Sequence, residues 1–205
     1  VTLVSFVIPT YQRRELLMTR CLPSLLRQTY VDIEALVVGD GTDQGSCDDV
    51  MALAAKDPRV RFWNLPHAQY PADPQQRWQV LGIDALNFGL EQARGEWVAA
   101  LGDDDALEPD MIEVLLAVSD GFDAVYGQSA VHSAPGQVFG TWPPGHGAFC
   151  DGACIRRNQE YRYDRACISR GLPEDADLWI RMLADGRKFR LVERIVHHYY
   201  PRGMR

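Results

Sequence analysis

The sequence predicts an α/β protein: one doubly wound, mostly parallel sheet flanked by helices, in a single domain. Three observations carry this expectation. Segments of strand and helix character alternate from Val4 to Leu101. The strand segments are nearly continuous apolar runs, as expected of strands covered on both faces. The chain has 205 residues, 46% of them hydrophobic, enough to bury one sizeable core.

The elements follow in order. Val4–Pro9 (VSFVIP) is β-rich and apolar, and Thr10–Arg13 is the loop after it. From Arg14 to Gln28, Leu17, Cys21 and Leu25 recur at helical spacing beside Leu22 and Leu26, and Pro23 should kink or split that helix. Ile33–Val38 is a second strand, running into Gly39-Asp40-Gly41-Thr42-Asp43. A helix from about Asp48 to Ala55 and an alternating strand over Arg59–Trp63 come next. His67 to about Gln76 carries two prolines and no period, which predicts a long loop. Leu81–Ala93 is helical, Gly95 stops it, and Trp97–Leu101 is a short buried strand ending in Gly102-Asp103-Asp104-Asp105. A helical pattern resumes at Met111. Farther on, Phe122–Tyr126 and Gln137–Trp142 are strand candidates, and Pro143–Gly152 is a loop. Pro173 opens a helix to Ala184 at its first position, with Glu174 and Asp175 in the first turn. Phe189–Tyr200 closes the chain as strand or extended structure.

Composition narrows the function. Twenty-eight acidic against twenty-one basic side chains give a formal charge of -7. That balance argues against nucleic-acid or membrane-surface binding, where a basic stripe is expected. No apolar run is long enough to span a membrane and no signal-peptide pattern opens the sequence, so a cytoplasmic protein is expected. The five cysteines are odd in number and lack the spacing of a disulfide framework, which predicts free thiols. His146, Cys150 and Cys154 could begin a zinc site, but no fourth ligand follows at a recognisable spacing.

Doubly wound sheets bind ligands beyond the carboxyl ends of their strands. That rule places Tyr11, Asp40 and Asp103–Asp105 on one rim. Three consecutive carboxylates repel one another, and a divalent cation relieves the repulsion. Taken singly, the triplet reads equally as a solvated turn, Asp40 as a capping residue and Tyr11 as packing. Their common position at strand ends joins them: Tyr11 can stack on a planar ring, Asp40 can accept N–H or O–H groups, and a cation on the acidic loop can neutralise a diphosphate.

Five stretches carry a resemblance at this point. Val4-Ser5-Phe6-Val7-Ile8-Pro9-Thr10-Tyr11, Ser24-Leu25-Leu26-Arg27-Gln28-Thr29-Tyr30 and Val37-Val38-Gly39-Asp40-Gly41-Thr42 are similar to the opening of the inverting family 2 glycosyltransferases. Ala93-Arg94-Gly95-Glu96-Trp97-Val98, followed by Leu101 to Pro109, resembles the approach to that family's metal-binding "DXD" loop. Glu174-Asp175-Ala176-Asp177-Leu178-Trp179 resembles its later "ED" helix. The resemblance implies a GT-A, Rossmann-like fold, with a nucleotide-sugar-binding half over about 1–105 and an acceptor-binding half over about 106–205. It implies that Asp40 reads the base beside Pro9 and Tyr11, and that Arg77 is a candidate for the diphosphate. Asp104 becomes the main ligand of Mn²⁺ or Mg²⁺, with Asp103 and Asp105 completing the loop and a late histidine nearby. Adjacent residues of a strand face opposite ways, so at most one of His197 and His198 reaches the site; His198 is taken as the ligand. Asp175 becomes the base, with Asp151, Glu174 and Trp179 on the acceptor side. The sequence departs from the pattern at Gly39 and Gly102, where acidic residues are common.

The chemistry suits these residue types. Inverting transfer is one displacement at the anomeric carbon, needing a base for the acceptor hydroxyl and stabilisation of the leaving diphosphate. Asp177 lies about 200° round the helix from Asp175, so the two cannot serve one hydroxyl. The expected partners are a UDP- or dTDP-sugar and a hydroxyl acceptor. The alternatives are a sugar-nucleotide nucleotidyltransferase and a non-catalytic nucleotide-sugar-binding module of the same fold. The first lacks support, because no Gly-rich, Arg- and Lys-bearing loop follows the first strand.

Overall fold

The chain is organised about β1 (Val4–Thr10), which is buried on both sides. The computed structural model describes residues 2–134, 136–145 and 147–201. β1 pairs in parallel with β2 (Ile33–Asp40) on one side and β4 (Trp97–Ala100) on the other, and β3 (Val60–Leu65) pairs in parallel with β2. Val4, Phe6 and Ile8 point into one apolar layer with Leu17, Leu22 and Met111, while Val7 enters the opposite layer with Leu36, Leu86 and Leu90. This two-sided burial is why the strands read as unbroken apolar runs.

The rest of the sheet is mixed. β8 (Cys154–Arg157) runs antiparallel between β4 and β6 (Ala124–Val131), and β9 (Phe189–Tyr199) runs parallel to β6. β5 (Ala106–Leu107) pairs antiparallel with β9, and β7 (Val138–Phe139) with β6. The order is β3-β2-β1-β4-β8-β6-β9-β5, with β7 on β6. Strand order reverses between β1 and β4, so the loops leaving these two strands border the crevice at the switch point.

The helices are α1 (Arg14–Leu16), α2 (Leu22–Leu26), α3 (Gln44–Ala54), α4 (Pro74–Gln79), α5 (Ile83–Gln92), α6 (Met111–Leu116), α7 (Cys167–Arg170) and α8 (Glu174–Ala184). The segment expected as one helix before Gln28 is split. A π-helical turn, Leu17–Cys21, separates α1 from α2, and Pro23 sits in the first turn of α2. α3 starts four residues before the expected Asp48, because the Asp43 carboxylate caps it by accepting the Ser46 N–H at 3.0 Å. α4 lies partly within the expected loop, and Asp73 caps it ahead of Pro74. Pro173 is the residue before α8 rather than its first helical residue. β8 was not expected: Cys-Ile-Arg-Arg offers no apolar run. All five cysteines are free thiols. Among the described residues no helix is long and apolar enough to cross a membrane.

Candidate functional site

A cleft of about 1000 Å³ opens at the carboxyl ends of β1, β2 and β4 and extends to the start of α8. Pro9, Tyr11, Asp40, Arg77, Asp103, Asp104, Asp105, Asp151, Glu174, Asp175 and Trp179 all line it, so the topology gathers eleven of the twelve sequence candidates. His198 is the exception.

At one end Asp40, buried at the tip of β2, accepts the Ala68 N–H at 2.7 Å and the Tyr70 hydroxyl at 2.6 Å. Burial, and then the Asp40 carboxylate, hold the Tyr70 phenol well above its usual range. The His67 ring stacks on Tyr11 with centroids 4.6 Å apart, and its Nδ1 lies 2.9 Å from the Asp40 carbonyl oxygen. The result is an aromatic shelf around a fixed carboxylate, suited to a planar ring carrying an N–H donor. Sequence reasoning left His67 and Tyr70 inside an unassigned loop. Their signal was positional: aromatic residues just past the carboxyl end of a strand. Gly39 has a packing reason, since a Cβ there would come 2.5 Å from Asn64 Oδ1. Arg77 sits on the rim, but it donates to the carbonyls of Pro71 and Ala72, bracing its own loop.

The acidic loop forms the middle of the cleft. Asp103 accepts the Thr10 hydroxyl at 2.8 Å, and burial raises its pKa against the opposing pull of Arg13. Asp105 accepts the Tyr200 N–H at 2.9 Å, and its other oxygen lies 3.3 Å from His197 Nε2. Gly102 leaves room for this packing, because a Cβ there would meet Asp105 Oδ2 at 2.9 Å. Asp104 pairs with the Arg13 guanidinium, which also lies 3.6 Å from Asp103, and Arg20 donates to the Asp104 carbonyl at 2.9 Å. Arg13 was not among the sequence candidates. Its partners lie about ninety positions away, beyond the reach of local pattern.

The late histidines need a correction. His198 gives its ring nitrogens to Glu108, at 2.7 Å, and His132, at 3.0 Å. Its neighbour His197 is the one that reaches the acidic loop, buried between Asp105 and the Ser129 hydroxyl. The alternation rule held, and the choice between the two faces did not. The β5–β9 pairing settles it by placing His197 opposite Leu107.

As for a divalent cation, the described residues offer no group of three or more His, Cys, Asp or Glu side chains poised to hold one. His146 of the zinc alternative lies outside the described residues. Asp103 accepts from Thr10 and Asp105 from the Tyr200 N–H, and Asp104, whose side chain is the most exposed of the three, is the carboxylate most open to a ligand. One carboxylate completed by phosphate oxygens and water is a set that Mg²⁺ or Mn²⁺ accepts. The residues therefore fit a cation arriving with a diphosphate, and do not fit an all-protein cage.

At the far end Asp151, in a single 3₁₀ turn (Asp151–Ala153), accepts the Tyr163 hydroxyl. Burial and then the nearby charge of Asp175 push its pKa up to about 7. Trp179 is buried in the floor against Phe149, at 5.2 Å between rings, so it shapes this end of the cleft from beneath. Asp177 is buried on another face of α8, held by Arg170 and Arg181. Asp151 has a consequence for stability. Its carboxyl titrates near 3.8 ordinarily and near about 7 here, so the folded chain binds the extra proton between those values. The contribution of this one group is therefore full below about pH 4 and is lost as pH rises through about 7. Asp151→Asn is expected to flatten this slope, so urea unfolding at pH 5 and pH 8 should show the variant gaining on the parent at the higher pH.

Similarity to known proteins follows this geometry. The chain is 33% identical over 117 residues to hyaluronan synthase of Pasteurella multocida, covering 57% of this chain and 11% of that protein. It is 32% identical over 113 residues to glycosyltransferase GlyG of Streptococcus pneumoniae, covering 55% of this chain and 34% of the relative. The chain thus spans only a fraction of these relatives. Among solved structures, TarS of S. aureus in complex with UDP superposes with a TM-score of 0.74 at 15% identity, covering 97% of this chain and 60% of that one. Mannosyltransferase PcManGT of Pyrobaculum calidifontis, in complex with GDP-Man and Mn²⁺, gives 0.69 at 15% identity over 98% of this chain and 58% of that one. These likenesses establish the GT-A-type fold. The family described as "Glycosyltransferase like family 2" matches residues 2–167, and the chain belongs to it.

Proposed function

We propose that the cleft transfers a sugar from a nucleoside-diphosphate sugar to an acceptor hydroxyl, with inversion. The observation that carries this reading is the order of groups along one cleft: the Asp40 shelf, the acidic loop, then the Asp151–Asp175 end. That order matches a nucleoside, a diphosphate and an acceptor. The complexes of structural neighbours with UDP, UDP-GlcNAc and GDP-Man support a nucleotide-sugar donor. The Asp40 carboxylate accepts a base N–H, which favours uracil or thymine.

Asp175 takes the acceptor proton. Asp151 keeps its proton up to about pH 7, under burial and then the charge of Asp175, which assigns the base role to Asp175 rather than to Asp151. The start of α8 favours a negative charge there. Arg13 and Asp104 face the diphosphate position. A bound Mn²⁺ or Mg²⁺ would supply Lewis-acid stabilisation of the leaving diphosphate.

A thermal-shift panel of nucleotide sugars, with and without Mn²⁺, tests the donor class. UDP- or dTDP-sugars with Mn²⁺ should raise the melting temperature most, because ligands that bind only the native state stabilise it. A panel in which no nucleotide sugar shifts the transition overturns the reading.

A further inference from the structure

The acidic loop already holds a cation of the protein's own. Arg13, on the loop after β1, places its guanidinium on the Asp104 carboxylate and 3.6 Å from Asp103. The pair is largely sheltered, with the Arg13 side chain 27% exposed and that of Asp104 15%. The Thr10 hydroxyl engages Asp103 and the Tyr200 N–H engages Asp105, so the ion pair falls on the most exposed carboxylate of the loop. Arg20 pins the same residue through its carbonyl and covers the Tyr200 ring at 3.8 Å, which keeps the loop from turning away.

We propose that Arg13 is a positioning residue that makes divalent-cation binding conditional on a diphosphate. A cation placed on Asp104 meets the charge of the Arg13 guanidinium on the same carboxylate, so its binding is favoured when Arg13 moves off. Released alone, the guanidinium loses its partner in a sheltered place, and that cost opposes the metal. A diphosphate removes the cost, because a planar guanidinium pairs with phosphate as well as with carboxylate. Metal and diphosphate therefore enter together, and Arg13 passes from Asp104 to a phosphate oxygen. Linkage requires that each ligand strengthen the other by the same factor. Part of that factor is direct contact between metal and phosphate, and part is the handover by Arg13. The inference rests on the metal-loop reading of Asp104 given above.

Titration of Mn²⁺, followed by the electron paramagnetic resonance of the free ion, tests it without turnover, in the presence and absence of UDP. The parent should bind Mn²⁺ alone weakly and Mn²⁺ with UDP well. Arg13→Gln should tighten Mn²⁺ alone by about tenfold and shrink the mutual enhancement with UDP. Arg13→Lys, which keeps a charge on Asp104, should behave nearly as the parent, showing that the gain does not come from a loosened fold. Adding Asp104→Asn to Arg13→Gln should abolish the gain. An unchanged or weaker affinity for Mn²⁺ alone in Arg13→Gln, with UDP-assisted binding intact in the parent, overturns the role of Arg13 and leaves the metal loop standing. A parent that binds no Mn²⁺ even with UDP overturns both.

Discussion

Asp175→Asn should lower the rate of sugar transfer by on the order of 10²–10⁴, the range that a positioned general base contributes, while donor affinity stays within about twofold of the parent. The amide keeps the shape of the carboxylate and its place in the first turn of α8, so the cleft should survive the change. Turnover at saturating donor and acceptor, set beside calorimetric donor affinity, separates the two effects: a loss confined to the rate marks a group acting in the transition state. Transfer at the parent rate would remove the base role from Asp175. It would pass to Asp151, since Asp177 is buried and held by two arginines.

Asp104→Ala is the second large effect. In the proposed reading Asp104 is the loop carboxylate that the cation takes, its two neighbours accepting from the Thr10 hydroxyl and the Tyr200 N–H. Without it, the Mn²⁺-dependent part of donor binding should vanish, so that a chelator no longer changes donor affinity, and transfer efficiency should fall on the order of 10²–10³-fold, or roughly 3–4 kcal/mol. Calorimetry of a UDP-sugar with and without chelator checks this in parent and variant. Tight donor binding in the parent that is indifferent to chelator would refute the metal role of the loop.

Much of the fold was legible because the central strands are buried on both faces and advertise themselves as apolar runs: β1, β2 and β4 fall where they were expected. The shared placement of Tyr11, Asp40 and the acidic loop on one cleft was legible because each lies at a strand end. What stayed hidden depends on distance along the chain. Arg13 looked like loop filler until the sheet brought Asp104 to it, and Tyr70 gained its meaning from Asp40 on another element. β8 sits between two strands that supply its environment, so its own side chains needed little apolar patterning. For the two late histidines, periodicity separated their faces but could not say which face was inward until β9 was paired.

The Thr10–Asp103 hydrogen bond joins residues 93 positions apart, across the strands on either side of the switch point. Contacts of such long sequence separation form late and slowly during folding. A chain that has built only its local hairpins and helices therefore has no cleft at all. Ligand capture becomes a report on completed folding, and any ligand of the cleft would draw newly made chains toward the native state as they arrive there.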